Sequence, residues 1–257
     1  MMKRLATMLG LLATTASAQE QTDWNFITEP RQDLTAAIVL YEGGLGVIAK
    51  CQNESFQLMV TGLVPESDDV RQMRVHFAGD DWGEESWFVG EDPGTAFSFR
   101  PAAYARSLRD GGRFDVVVAG GGPNGENLRY AFDIPPSASS LNQTLEACGK
   151  PVDDPRDALL RDLPEGGLPA NLEWAYRPHG FYPSGQTYTR GVAVISCLTQ
   201  TDGRVRDCVV ETEWPSDGGF GEAALRQARH ARIRNADTTM TEVPQTIVSW
   251  TTNFRME

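Results

Sequence analysis

Four cysteines, one pair in each half of the chain, constrain the fold more than any other feature of the sequence. They are Cys51, Cys148, Cys197 and Cys208. An even number of cysteines in an exported protein predicts disulfides formed in an oxidising compartment. The alternative is four buried free thiols. Neither pair has the Cys-x-x-Cys spacing of an oxidoreductase. The arrangement therefore favours two domains, each closed by a structural disulfide.

The first 18 residues have the pattern of a secretory signal peptide. Residues 3 and 4 are basic, residues 5–12 are apolar, and small residues precede the cleavage site expected after Ala18. An uncleaved membrane anchor would need about 20 apolar residues, more than this stretch provides. The sequence thus predicts an exported, periplasmic protein.

The charge balance excludes one class of partner. The 257 residues include 23 Lys and Arg against 35 Asp and Glu, which gives a formal charge of −12. Such a chain has no basic surface for nucleic acid or anionic lipid. With 40% hydrophobic residues it can still build a core.

Residues 19–148 are predicted to form an all-β domain of unknown role. Short apolar runs separated by turns are typical of an antiparallel sandwich or an open barrel. One short helix is expected at residues 102–108. The strands are predicted at 35–41, 45–51, 56–60, 70–77, 87–89, 97–99, 113–119 and 128–134.

Proline separates this domain from the rest of the chain. Six of the 15 prolines lie between residues 151 and 183. Because proline removes backbone donors and fixes φ, we expect a linker at residues 149–176. At most one short helix, near residues 156–163, is compatible with this composition.

Residues 177–257 show a strand, strand, helix, strand pattern, which makes the whole chain α+β. Apolar alternation predicts strands at 191–199 and 205–213 around an Asp-Gly turn, and a last strand at 245–256. Alanine and leucine spacing predicts a helix at 221–233.

This order of elements, with its landmarks, resembles the C-terminal domain of the TonB family of periplasmic proteins. The matching features are Tyr182-Pro183, the run 191–194, Asp202-Gly203-Arg204-Val205, the run 219–225 and the strand ending at Phe254. The resemblance implies a small β-β-α-β domain that grips an extended segment of an outer-membrane transporter as an added strand. Energy-transducing members also keep an N-terminal membrane anchor, which we do not expect here.

An edge strand can bind a peptide because its N–H and C=O groups are unpaired on one side. The candidate is the terminal strand, and by resemblance Tyr182 and Pro183 border its groove. The predicted partner is an extended segment of an envelope or outer-membrane protein. Alternatively, the linker, the first domain or a second copy covers the edge, which would make the chain a structural or assembly protein that forms homodimers. The predicted edge residues are Ile247, Val248, Ser249, Trp250, Thr251 and Thr252.

The geometry of the second disulfide depends on the turn between its cysteines. With a two-residue loop, Cys197 faces Cys208 directly and the bond can form. A three-residue loop with a glycine bulge would place the cysteines on opposite faces unless a further bulge intervenes. Cys51 and Cys148 would join the two ends of the first domain.

No motif indicates an enzyme, a cofactor or a metal. The three histidines lie outside any metalloprotease motif, and no nucleophile elbow is present. The glycine run 120–125 is followed by a strand pattern, which favours a hairpin turn over a dinucleotide site. An acidic cluster interleaved with Trp82 and Trp87 is predicted to be a solvated loop; a Ca²⁺ site or a hydrolase centre is the alternative. The cluster consists of Asp80, Asp81, Glu84 and Glu85.

Overall fold

The computed structural model describes residues 23–77, 83–137, 139–185 and 187–256. The predicted signal peptide lies outside these residues, as do Asp80, Asp81 and Trp82 of the acidic cluster.

The first domain is built on one antiparallel sheet of nine strands. The sheet order is β1-β2-β3-β4-β7-β6-β5-β8-β9. The strands are β1 (Asn25–Glu29), β2 (Leu34–Leu40), β3 (Gly46–Gln52), β4 (Ser55–Thr61), β5 (Val70–Phe77), β6 (Gly83–Val89), β7 (Ala96–Ser98), β8 (Gly112–Val118) and β9 (Leu128–Ile134).

The sheet curls until its two ends meet, so it is an open barrel rather than a sandwich of two sheets. Trp24, at the start of β1, donates its indole N–H to the Pro135 carbonyl just after β9, at 3.0 Å. The Tyr41 hydroxyl donates to the Asp133 carbonyl of β9 at 2.9 Å. Side chains therefore bridge the gap that β1 and β9 leave unpaired, and the apolar faces of the strands enclose a single core.

Two helices also belong to this domain, which is therefore not wholly β. Helix α1 (Pro101–Leu108) is the predicted one, whereas α2 (Ser139–Ala147) was not predicted. Only Leu141 and Leu145 give α2 an apolar face, too weak a periodicity to recognise in nine residues, yet both are fully buried. The predicted disulfide between Cys51 of β3 and Cys148 is present, with Cα atoms 5.4 Å apart, and ties the end of α2 to the sheet.

The proline-rich segment is ordered and packs against both domains. It contains the expected short helix α3 (Asp157–Arg161) and an unpredicted strand β10 (Leu172–Tyr176). Arg106 of α1 binds Asp157 with two hydrogen bonds, at 2.5 and 2.6 Å. Leu160 is buried in a small cluster that also contains Ile247. Buried leucine and arginine contacts thus hold a segment whose proline content alone suggested a spacer.

The C-terminal domain keeps the predicted element order and adds one strand. It comprises β11 (Arg190–Thr199), β12 (Val205–Trp214), α4 (Phe220–Ala228), β13 (Arg232–Asn235) and β14 (Ile247–Arg255). One antiparallel sheet has the order β12-β11-β14, and β10 pairs with β13 in a separate ribbon. The helix ends at Ala228, five residues earlier than predicted, because the chain turns there into β13.

The three-stranded sheet lies between α4 and the barrel. On the α4 side, the Phe220 ring packs so closely on Gly191 that a Cβ there would lie 2.1 Å from it. On the other side, Val192 and Val194 pack against barrel residues that include Phe88. Since both faces of the sheet are covered, only its two edges can recruit another chain.

Candidate peptide-binding edge strand

The hairpin of β11 and β12 carries the second predicted disulfide, and of the two loop lengths that the sequence allowed, the structure has the three-residue one. The Gln200 N–H donates to the Arg204 carbonyl at 2.8 Å, which leaves residues 201–203 as the loop, and Gly203 supplies the left-handed conformation that this loop needs, at φ +77°. A further bulge at Asp207, with φ +49°, then shifts the register by one residue. Cys197 and Cys208 are thereby brought onto one face with Cα atoms 4.1 Å apart, so the predicted disulfide is confirmed, with the further bulge that the three-residue alternative requires.

β14 is an edge of the C-terminal sheet, and β11 lies in the middle. The predicted site residues form one stretch of β14, with Val194 opposite Thr251. Most of their side chains are buried: Ile247, Val248, Ser249, Trp250 and Thr252 are each at most 7% exposed, and only Thr251 is half-exposed. Any recognition along this strand therefore depends on its backbone groups.

The outward backbone groups of β14 can be identified from one hydrogen bond. The Ser249 N–H donates to the Gly167 carbonyl of the linker at 2.7 Å, so it points away from β11. Because these directions alternate along an antiparallel strand, Thr251 and Asn253 also direct their N–H and C=O groups outward. In the described part of the chain, neither outward N–H has a hydrogen-bond acceptor.

The linker covers the first half of the predicted edge. Gly167 has φ +72° and approaches so closely that a Cβ would lie 2.0 Å from the Ser249 carbonyl oxygen. Ile247, two residues earlier, is buried against the linker leucines. We call residues 164–168 the strap. It restricts the open part of the edge to residues 251–255, shorter and farther along the strand than the predicted stretch.

Tyr182 and Pro183, the residues predicted to border the groove, are linked to β14 through the side chain of Phe220. Tyr182 packs edge-on against Phe220, with ring centroids 5.7 Å apart, and Phe220 in turn contacts Phe254 of β14. Pro183 follows it and is half-buried. The segment beside the open edge is instead residues 177–180. A Cβ on Gly180 would lie 2.4 Å from the side chains of Thr252 and Phe254.

Sequence reasoning also missed the residues that face β14 across the domain interface. A cavity of 220 Å³ separates Ser249 and Thr251 from the barrel. One of its walls includes Arg100, whose guanidinium donates to the Leu160 and Leu163 carbonyls at 2.5 and 3.0 Å. Another lining residue, Arg177, donates to the outward Thr251 carbonyl at 3.4 Å. No sequence signal links these residues, because they are 70 to 150 positions apart from β14.

The described members of the acidic cluster do not form a site. Glu84 is exposed, and Glu85 lies 3.8 Å from the Arg100 guanidinium. Trp87 is fully buried in the barrel core, where it stacks on Tyr104 at 6.1 Å. Across residues 23–77, 83–137, 139–185 and 187–256, no three His, Cys, Asp or Glu side chains are placed to hold a metal ion.

The opposite edge strand, β12, contains the most perturbed carboxylate. Burial raises the pKa of Glu213 to about 6, although the Gly221 N–H donates to this carboxylate and opposes the shift. Glu213 lines a cleft of 390 Å³ between the domains, together with Lys150. Burial also lowers the pKa of Lys150, whose ammonium group donates to the Val210 carbonyl at 2.6 Å.

Comparisons with protein-family models, with curated proteins and with solved structures found no match. One observation bears on the compartment in which the protein is found. Its two disulfides indicate an environment outside the reducing cytoplasm. Among the described residues, no helix is both long and apolar enough to cross a membrane.

Proposed function

We propose that this protein is a periplasmic, non-enzymatic binding protein of the cell envelope. Its C-terminal domain binds an extended segment of another envelope or outer-membrane protein, which adds as a fourth strand beside residues 251–255 of β14. The observation that carries the proposal is the pair of outward N–H groups on Thr251 and Asn253, which have no acceptor in the described chain. An incoming strand offers carbonyls at the spacing that these donors require.

Three further features support this assignment. The β12 edge is occupied by side chains of the first domain and of the start of the linker, which leaves β14 as the open edge of its sheet. Both faces of the sheet are packed, so a partner can pair with the backbone but has no face to cover. The resemblance of residues 177–257 to the TonB C-terminal domain, and the export signal predicted at residues 1–18, fit the same role in the envelope.

The test uses a photocrosslinking probe at Asn253, whose side chain is exposed, in the intact envelope. A probe at Arg226, on the exposed face of α4, is the control for non-specific contact. A crosslink from Asn253 alone to an envelope protein supports the proposal. A crosslink only to a second copy of the chain overturns it in favour of homodimerisation.

A pair of substitutions at Thr251 tests whether the backbone carries the contact. Thr251→Pro removes the outward N–H without removing a bond to β11, a position where an edge strand tolerates proline. Thr251→Ala keeps this N–H and is the matched control. We expect Thr251→Pro to lose the Asn253 crosslink and Thr251→Ala to retain it. Equal crosslinking by the two variants would show that strand pairing is not involved.

A further inference from the structure

Arg71 lies inside the barrel, at one end of it. It follows the exposed Val70 on β5 and points to the same face as the buried Met73 and Val75. Only 1% of Arg71 is exposed, although its guanidinium is always charged. Burying a charge is costly unless the group is paired and its donors are bonded.

In the described part of the chain, the hydrogen-bond acceptors around Arg71 satisfy only one of the three nitrogens of its guanidinium. Nη2 donates to the carbonyls of Val64 and Pro93, in the loops that close this end of the barrel. Nε and Nη1 have no acceptor among the described residues. Glu66 is the carboxylate whose charge acts on Arg71, but its Oε1 accepts the backbone N–H groups of the following two residues, the nearer at 2.8 Å.

A second buried donor lies next to Arg71. Trp87 of β6 is its direct cross-strand partner, so the two Cβ atoms lie about 4.5–5.5 Å apart on the same face. The indole is fully buried, and its N–H also lacks an acceptor in the described chain. Tyr130 reaches the same end of the barrel, where its hydroxyl accepts the Val64 N–H at 2.8 Å.

We propose that Arg71 and Trp87 form a binding site for a small monovalent anion, either a carboxylate such as formate or acetate or a halide. Both side chains offer only donors, and one of them carries a positive charge, so the complementary ligand is an acceptor with a negative charge. Water can satisfy the donors but cannot neutralise the guanidinium. The position inside the core restricts the ligand to a few atoms. This site lies in the first domain and does not depend on strand addition at β14.

The first test measures thermal unfolding of the whole protein while sodium formate, acetate or chloride replaces sodium gluconate at constant ionic strength. A ligand that binds only the folded state raises Tm in a saturable way, by about 3 °C or more for a chain of this size. Arg71→Met should lose this response. Arg74→Met, at an exposed position of the same strand, should keep it. A response shared by both variants, or absent from the wild type, overturns the site.

The second test keeps the charge of Arg71 and replaces the Trp87 indole, which is both the second donor and the fluorophore next to the proposed site. Bromide should quench a saturable part of the tryptophan fluorescence in the wild type, and Trp87→Phe should lack that part. This readout remains informative if Arg71→Met does not fold. Quenching that rises without saturation, or that is unchanged in Trp87→Phe, contradicts the proposal. Competition against bromide identifies the preferred ligand: tighter competition by formate than by chloride assigns a carboxylate, and the reverse assigns a halide.

Discussion

The two outer strands of the C-terminal sheet solve the problem of an unpaired edge in different ways. On β12, side chains of the linker and of the first domain cap outward carbonyls: Lys150 of the linker binds Val210, and Gln57 of the first domain binds Glu213 at 3.1 Å. On β14, one linker carbonyl caps one N–H, that of Ser249, and the exposed side chain of Arg177 makes one contact of 3.4 Å with the Thr251 carbonyl. The side chains that cap β12 belong to segments packed beside it, which leave no room for a further strand, whereas the contacts on β14 leave the outward N–H groups of Thr251 and Asn253 without an acceptor among the described residues. The two edges therefore differ in how many of their outward backbone groups are available for pairing.

The largest effect on stability is expected from the Cys51–Cys148 disulfide, which fixes the chain next to one of the side chains that cap β12. Lys150 lies two residues beyond Cys148, whose partner Cys51 is 97 residues away. Replacing both cysteines, Cys51 and Cys148, with alanine should lower the free energy of unfolding by about 4–5 kcal/mol in the chain-entropy model. Urea unfolding measures this loss, and hydrogen exchange should show faster exchange in β12 than in β14.

The short disulfide is the matched control for that comparison. Cys197 and Cys208 are 11 residues apart, so their removal should cost about 3 kcal/mol or less. It should also leave the first domain intact. Equal losses of unfolding free energy for the two pairs would show that loop length does not determine the effect. The long disulfide would then not be what stabilises the side chains that cap β12.

The next largest effect concerns the strap over β14. Gly167→Ala places a Cβ where the Ser249 carbonyl oxygen would be 2.0 Å away, at a φ that disfavours alanine. We expect a loss of about 2–4 kcal/mol and faster exchange of the Ser249 N–H. Gly166→Ala is the control, because a Cβ there has no atom within 4 Å and the backbone is not left-handed. If Gly167→Ala unfolds no more easily than Gly166→Ala, the strap does not hold the edge.

On the β12 side, Glu213 provides a pH-dependent comparison. Its folded pKa of about 6 exceeds the ordinary value of 4.5, so the folded state binds this proton more tightly. Stability is therefore full below pH 4.5 and falls as the pH rises through about 6, by about 2 kcal/mol. Glu213→Gln keeps an acceptor for the Gly221 N–H and should remove this pH dependence. The stability of Glu213→Gln relative to the wild type should therefore rise between pH 4 and pH 7.5. Denaturant titrations at pH 4 and pH 7.5 measure this difference in the free energy of unfolding.

An exposed glutamate supplies the control for this titration. Glu29→Gln changes the same functional group at an exposed end of β1. Glu29→Gln leaves Glu213 intact, so this variant should lose stability between pH 4 and pH 7.5 as the wild type does. A Glu213→Gln curve parallel to the wild type would mean that burial does not perturb this carboxylate.

The sequence predicted the elements with strong local signals and missed those that depend on distant packing. Cysteine spacing identified both disulfides, and apolar alternation identified β14 as the last strand. The bulge at Asp207 was not predictable, because an aspartate in the left-handed region has no distinct local pattern. The contact of Gly167 with Ser249 joins positions 82 residues apart, and the burial of Arg71 breaks the rule that charged residues lie outside. Each of these features is created by tertiary contacts between residues far apart in the sequence, which a local pattern does not reveal.

The smallest effect on stability is expected at Arg177, which contacts the open part of β14. Its single hydrogen bond to the Thr251 carbonyl is 3.4 Å long and exposed, so Arg177→Gln should change the free energy of unfolding by less than about 0.5 kcal/mol. The same change frees an outward acceptor that an added strand would use. We therefore expect stronger crosslinking from Asn253 with little change in Tm. Gly167→Ala, in contrast, should lower the stability of the protein. Weaker crosslinking would instead show that Arg177 contacts the partner directly and that the open edge begins beyond Thr251.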